Sequence, residues 1–195
     1  VGYHVHFFWL MRHKPETLAL GLSNKLRELW AQAVMARRQE TVAVQTMRNW
    51  IMAASFLAST AVLLSLAMLH LAFSSPSAPE TATLRILVNS TDDAFWRLQW
   101  LLVAVSLFFA FFCFTMTIRH YNHAGLLIEL ESESTPLASP PFVALVLNRA
   151  ALYNTLGMRG FYLTIPIILW LIDPGLLFVG TLGLLAVLYK LDRSL

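Results

Sequence analysis

Two long stretches without a charged side chain constrain the fold of this chain most strongly. No Asp, Glu, Lys or Arg occurs from Asn49 to Pro79 or from Leu98 to Ile118. Each stretch reaches the roughly 20 residues that an α-helix needs to cross the hydrocarbon core of a bilayer. Charged residues make up 13% of the chain, against about a quarter in soluble domains. The sequence therefore predicts an all-α membrane protein.

The apolar stretches predict about four transmembrane helices in a single transmembrane domain, residues 1–195. Three spans are expected over residues 50–73, 95–118 and 160–189. Residues 1–11 are too short to cross the membrane and are expected to be the end of a truncated first span. The last stretch is interrupted by Asp173-Pro174-Gly175. We expect one kinked span there, and a re-entrant hairpin of two half-helices is the alternative.

A cytoplasmic amphipathic helix is predicted after the first span, because apolar residues recur at helical spacing and charged residues cover the other face. The apolar positions are Leu26, Leu29, Trp30, Ala33 and Val34. This helix is expected to lie at the headgroups with Trp30 as an interfacial anchor. A short helix over residues 142–156, ended by Gly157, is expected before the last span.

The span over residues 50–73 carries small residues four positions apart. Such pairs let helix backbones approach closely in lipid, so this face should pack on protein. The pairs are Ala54 with Ala58, Ser55 with Ser59, and Ala61 with Ser65.

The basic residues predict the orientation. Ten Lys and Arg residues lie within residues 12–48 and 119–159, whereas the intervening linker and helix start supply only Arg85 and Arg97. The positive-inside rule places the richer segments in the cytoplasm, in a bacterial inner membrane. A single last span would then put the C-terminus outside, whereas Lys190 and Arg193 favour the hairpin.

Polar motifs adjoin the apolar stretches and should meet at the cytoplasmic membrane face. A guanidinium pairs with phosphate through two hydrogen bonds, so their arginines are candidates for binding lipid headgroups. The alternative is that these residues bond one another and helix-end carbonyls, and so pin the helix ends. The candidates are Gln45, Arg48, Asn49, Arg119, Asn122, Arg159 and Tyr162.

Two histidines support a different chemistry. His120 and His123 share a face of a helix, and His4 or His6 would supply a third ligand for a metal, a haem or a quinone site. No cofactor is predicted from a recognised motif, and no catalytic motif such as HExxH, CxxC or GxSxG is present. A small transporter component is the remaining alternative, although in the membrane middle the two complete spans offer only Ser, Thr and Cys as polar groups. No nucleic-acid partner is expected, because the basic residues follow the loops of a membrane topology.

Several motifs together resemble the domain-of-unknown-function family 599, which comprises multi-pass membrane proteins of bacteria and plants. They are Gln45-Thr46-Met47-Arg48-Asn49, Met52-Ala53-Ala54-Ser55, Tyr121-Asn122-His123 and Met158-Arg159-Gly160-Phe161-Tyr162. The resemblance covers nearly the whole chain and implies a helical fold with roughly four spans, but no activity, substrate or catalytic residue. The small-residue helix faces and the absence of catalytic motifs lead us to expect an accessory or structural subunit that packs on other integral membrane proteins and binds phospholipid at its cytoplasmic face.

Overall fold

Five α-helices run through residues 19–74, 93–130 and 139–193, which are the residues that the computed structural model describes. The all-α fold is therefore confirmed. The helices are α1 Ala19–Ala36, α2 Glu40–Phe73, α3 Asp93–Glu129, α4 Pro140–Ile172 and α5 Pro174–Arg193. Four of them, α2 to α5, are long and apolar enough to cross a membrane. The predicted partial span over residues 1–11, with His4 and His6, lies outside the described residues.

The helices divide between two compact units. Unit one takes its described residues from Val1–Ala54, Met116–Tyr153 and Leu185–Leu195, and unit two takes them from Ser55–Thr115 and Asn154–Leu184. Among the described residues, every Lys and Arg belongs to unit one except Arg97 and Arg159. The basic charge is thus concentrated in unit one.

Three helices extend well past the spans that the sequence predicts. α2, α3 and α4 have 34, 37 and 33 residues, about 50 Å each, whereas the hydrocarbon core is about 30 Å thick. α4 also runs through Gly157, where the sequence predicts that a shorter helix ends. A Cβ atom at Gly157 would lie 2.8 Å from Cε1 of Phe114. This glycine therefore permits close helix packing and does not terminate the helix.

The break at Asp173 reverses the chain direction, so two helices stand here in place of one kinked span. The Asp173 carboxylate accepts a hydrogen bond from the backbone N–H of Gly175 at 2.6 Å, as residues that cap a helix N-terminus do. A Cβ atom at Gly180 would lie 3.3 Å from Cα of Pro166. These two residues would be about 21 Å apart in a straight helix. α5 therefore folds back against α4, and each helix is itself long enough to cross.

Small residues and hydroxyl groups hold the helices of unit two together. Ser65 donates a hydrogen bond to the carbonyl of Ala104 at 2.9 Å, and Ser106 donates one to the carbonyl of Gly160 at 2.9 Å. Ala58 and Ala61 are buried in a cluster with Ala110 and Phe114. Two of the small-residue pairs of α2 are thus buried inside this chain. Ser59, of the third pair, is exposed.

α1 packs on the helix extensions of unit one through a stripe that shares only Trp30 and Val34 with the predicted apolar face. Ala31 and Val34 are buried, whereas Leu26 and Leu29 are 55% and 54% exposed. Polar residues also belong to the packed stripe. Arg27 Nη1 donates one hydrogen bond within α1, to Asn24 Oδ1 at 2.7 Å, and one to α4, to Asn148 Oδ1 at 3.0 Å. Burial lowers the pKa of Arg27, and the electrostatic interaction with Tyr121 opposes that shift.

Candidate functional site

A cleft of about 610 Å³, here called cleft one, opens between α3 and α4 in unit one. On each helix the lining residues recur three or four positions apart, so one face of α3 meets one face of α4. The lining contains two arginines and two histidines but no carboxylate among the described residues, and it is therefore cationic. It consists of Arg119, His120, Asn122, His123 and Leu126 from α3, and Phe142, Leu145, Val146 and Arg149 from α4.

A buried hydrogen bond sets the register that brings the two arginines together. Thr117 Oγ1 donates to the carbonyl of Ala150 at 3.3 Å. Arg119 follows Thr117 by two residues and Arg149 directly precedes Ala150, so the two guanidinium groups belong to the same end of the cleft. Leu126 and Phe142 lie two helical turns away on their helices. Cleft one is basic at one end and apolar at the other.

His120 is held in a defined orientation. Its Nδ1 atom lies 2.7 Å from the carbonyl oxygen of Met116. Because a carbonyl only accepts hydrogen bonds, Nδ1 carries the proton, which leaves Nε2 as an acceptor in the neutral ring. The ring also packs on Tyr153, with centroids 5.2 Å apart. This contact gives the cleft one polar group with a defined orientation.

The histidine-based metal hypothesis gains no third ligand from the part of the chain that the structure describes. Within it, no group of three His, Cys, Asp or Glu side chains is placed to hold a metal ion. His120 and His123 both line cleft one. The predicted third ligand, His4 or His6, lies outside the described residues, so the hypothesis stays a prediction.

A second cleft, here called cleft two, has a volume of about 330 Å³ and lies between α2 and α3 in unit one. Asn122 and Leu126 line both clefts. Cleft two contains one cationic and one anionic side chain. Its lining consists of Val44, Met47, Arg48 and Ile51 from α2, and Tyr121, Asn122, Gly125, Leu126 and Glu129 from α3.

The predicted polar residues separate into two groups. Arg48, Arg119 and Asn122 line the clefts of unit one, whereas Gln45 and Asn49 are exposed on α2 outside both linings. Arg159 and Tyr162 belong to unit two. The prediction that all of these motifs meet at one membrane face assumed that the last span begins near Gly160. α4 begins instead at Pro140, so its motif lies in the middle of a helix.

Arg159, which the sequence predicts at the cytoplasmic membrane face, is buried within unit two. It is 4% exposed. The carbonyl of the next residue, Gly160, accepts the hydrogen bond from Ser106, and Ser106 is at the centre of the span predicted over residues 95–118. Arg159 is therefore a buried guanidinium near the middle of the apolar bundle.

Arg149 is a charged residue of cleft one that the sequence did not predict as part of a site. It follows Phe142, Leu145 and Val146 at positions i+7, i+4 and i+3, which is the spacing of one helix face. That spacing predicts which face of α4 carries Arg149, but it does not predict which residue of α3 lies opposite. The pairing with Arg119 depends on the contact between α3 and α4.

The length and apolar character of these helices define a multi-pass α-helical membrane protein. The chain belongs to the family described as "Protein of unknown function, DUF599", which matches residues 1–195. The resemblance seen in the motifs is thus confirmed. No curated protein and no solved structure matches the chain significantly.

Proposed function

We propose that this protein is a membrane subunit that binds anionic phospholipid, with the lipid phosphate in cleft one. The observation that carries the proposal is the convergence of Arg119 and Arg149, from different helices, on one cleft without a carboxylate. A guanidinium donates two parallel hydrogen bonds to phosphate oxygens. Basic pockets between membrane helices are suited to anionic headgroups for this reason.

The position and availability of the arginines support the same reading. Arg119 directly follows Ile118, where the uncharged stretch of α3 ends, and lipid phosphates lie at this boundary. Within the described residues, no hydrogen bond or ion pair involves Arg119, Asn122 or Arg149. Their polar atoms are therefore available to a ligand, which favours lipid binding over the pinning of helix ends.

Replacing both arginines of cleft one is expected to remove bound anionic lipid. Native mass spectrometry of the purified full chain with phosphatidylglycerol measures this directly. The affinity of Arg119→Gln/Arg149→Gln should fall about tenfold or more, which corresponds to the loss of roughly 1.4 kcal/mol of binding. Arg97→Gln is the matched control, because Arg97 is an exposed arginine on α3 in unit two. Equal affinities in the double variant and the control would contradict the proposal.

Packing on other membrane proteins forms the second part of the proposal, and α5 offers the surface for it. Only 6% of the apolar window of α5 is buried, and Phe178, Val179 and Leu182 are 71%, 66% and 68% exposed. Most small residues of α2 are already packed inside the chain, so they are not the proposed contact. Native mass spectrometry also tests this packing. Protein extracted gently from its membrane should be detected together with a partner membrane protein. A single bare monomer would argue against it.

We also propose that unit one faces the cytoplasm of a bacterial inner membrane. The positive-inside rule favours this orientation, and the reversal at Asp173 adds Lys190 and Arg193 to the basic segments of unit one. In a Cys113→Ser background, Gln39→Cys and Lys190→Cys should resist a membrane-impermeant thiol reagent in intact cells. Arg97→Cys should react. Labelling of Lys190→Cys in intact cells would overturn the orientation of α5.

A further inference from the structure

We infer that cleft two is a second lipid site, which recognises a zwitterionic headgroup with a phosphate and a primary ammonium, as in phosphatidylethanolamine. The cleft pairs one cation, Arg48 on α2, with one anion, Glu129 on α3. Cleft one lacks such a pair. The inference uses different charged side chains from those proposed for anionic lipid, although Asn122 and Leu126 line both clefts.

The two charges of cleft two are available to a ligand. Within the described residues, no ion pair or hydrogen bond joins Arg48 to Glu129. Both side chains are exposed, and a space of about 330 Å³ opens beside them. A molecule that carries both a phosphate and an ammonium satisfies both side chains at once, whereas a purely anionic headgroup would be repelled by Glu129.

The contacts between α2 and α3 give the order of groups along the cleft. The rings of Trp50 and Tyr121 pack with centroids 5.2 Å apart, and a Cβ atom at Gly125 would lie 3.8 Å from Cε of Met47. The two helices are therefore antiparallel, and Glu129 lies one turn beyond the level of Met47.

This order matches the order of groups in a phospholipid. Ile51 lies inside the uncharged stretch of α2, Arg48 lies just outside it, and Glu129 lies further from it at the end of α3. Acyl chains, phosphate and ammonium follow one another in the same sequence in phosphatidylethanolamine. Asn122, which also lines the cleft, offers amide donors for the phosphate oxygens.

The end of α3 strengthens the preference for a cation. α3 ends at Glu129, where the helix dipole is negative, so a carboxylate there is unfavourable unless a positive charge lies nearby. A primary ammonium supplies that charge and donates three hydrogen bonds. The quaternary ammonium of phosphatidylcholine has no N–H group to donate. Cleft two should therefore prefer phosphatidylethanolamine to phosphatidylcholine.

The test titrates the purified full chain with each of the two lipids in native mass spectrometry. The wild type should prefer phosphatidylethanolamine by roughly fivefold, the scale of one exposed ion pair. Glu129→Gln should bring this ratio close to one, and Arg48→Gln should weaken the binding of both lipids. Glu28→Gln, which removes an exposed carboxylate from α1, is the matched control and should keep the wild-type ratio.

Three results would overturn the inference. They are a preference that persists in Glu129→Gln, unchanged affinity in Arg48→Gln, and equally tight binding of soluble glycerophosphoethanolamine, which would assign the cleft to a free zwitterion. Phosphatidylglycerol binding by the same variants checks that cleft one is intact. Failure of the cleft-one proposal would be a different result. Arg119→Gln/Arg149→Gln would then bind phosphatidylglycerol as tightly as the control, while the preference for phosphatidylethanolamine stayed unchanged.

Discussion

A Gly157→Leu variant is expected to be clearly less stable than the wild type, because the new side chain enters the packed interior of unit two. The Cβ atom of any side chain at this position would lie 2.8 Å from Cε1 and 2.9 Å from Cζ of Phe114. Phe114 is fully buried and packs on Phe161 with ring centroids 5.8 Å apart, so the ring has little room to withdraw. Overpacking by a single side chain typically costs about 1–3 kcal/mol, and leucine adds three further carbon atoms beyond the clashing Cβ.

Unfolding of the reconstituted protein by a denaturing detergent measures this loss as a lower midpoint. Gly183→Leu is the matched control, because no atom lies within 4 Å of a Cβ at Gly183. Its midpoint should stay near that of the wild type. Similar midpoints for the two variants would contradict the close packing of α4 on α3.

Replacing Arg159 by methionine is expected to be the most destabilising exchange of a charged residue in the chain. Methionine keeps much of the length of the side chain but removes the guanidinium, which is 4% exposed and engaged within the protein. Losing an interaction of a charged group inside a protein typically costs about 1.5–3 kcal/mol, because the group that the guanidinium contacted is left without that interaction. The apolar surroundings of a membrane span offer it no water as a substitute.

The same unfolding measurement, with Arg97→Met as the control, tests this expectation. Arg97 is exposed on α3, so its replacement should have little effect. Arg159→Lys should fall between the two, since lysine keeps the charge but not the planar set of donors. Equal midpoints for Arg159→Met and Arg97→Met would show that the buried guanidinium contributes nothing to the fold.

The helical class of this protein could be predicted because a bilayer permits few alternatives. An uncharged stretch such as Leu98–Ile118 must satisfy its own backbone hydrogen bonds in lipid, and a helix does so. Arg48 and Arg119, each within a motif singled out from the sequence, line the clefts of unit one. These features depend on local composition, which a sequence displays directly.

The features that could not be predicted depend on packing between helices. The sequence predicts a helix end at Gly157, whereas in the structure this glycine lies inside α4 and allows Phe114 to pack closely against it. The sequence predicts Arg159 near the start of the last span, whereas α4 begins at Pro140, well before this residue. Arg149 has no visible link to Arg119, because their convergence rests on the register that Thr117 sets with Ala150. Each of these is a long-range contact that a local pattern does not contain.

The most direct test of lipid binding in cleft one is a measurement of proximity between lipid phosphorus and arginine nitrogen. Solid-state NMR of the full chain, reconstituted with phosphatidylglycerol and labelled with ¹⁵N at its arginine side chains, reports the ³¹P–¹⁵N dipolar coupling. The proposal predicts a coupling as strong as that of a hydrogen-bonded guanidinium–phosphate pair. The coupling should be retained in Arg97→Gln and largely lost in Arg119→Gln/Arg149→Gln. A coupling of equal strength in both variants would contradict the assignment of the phosphate to cleft one.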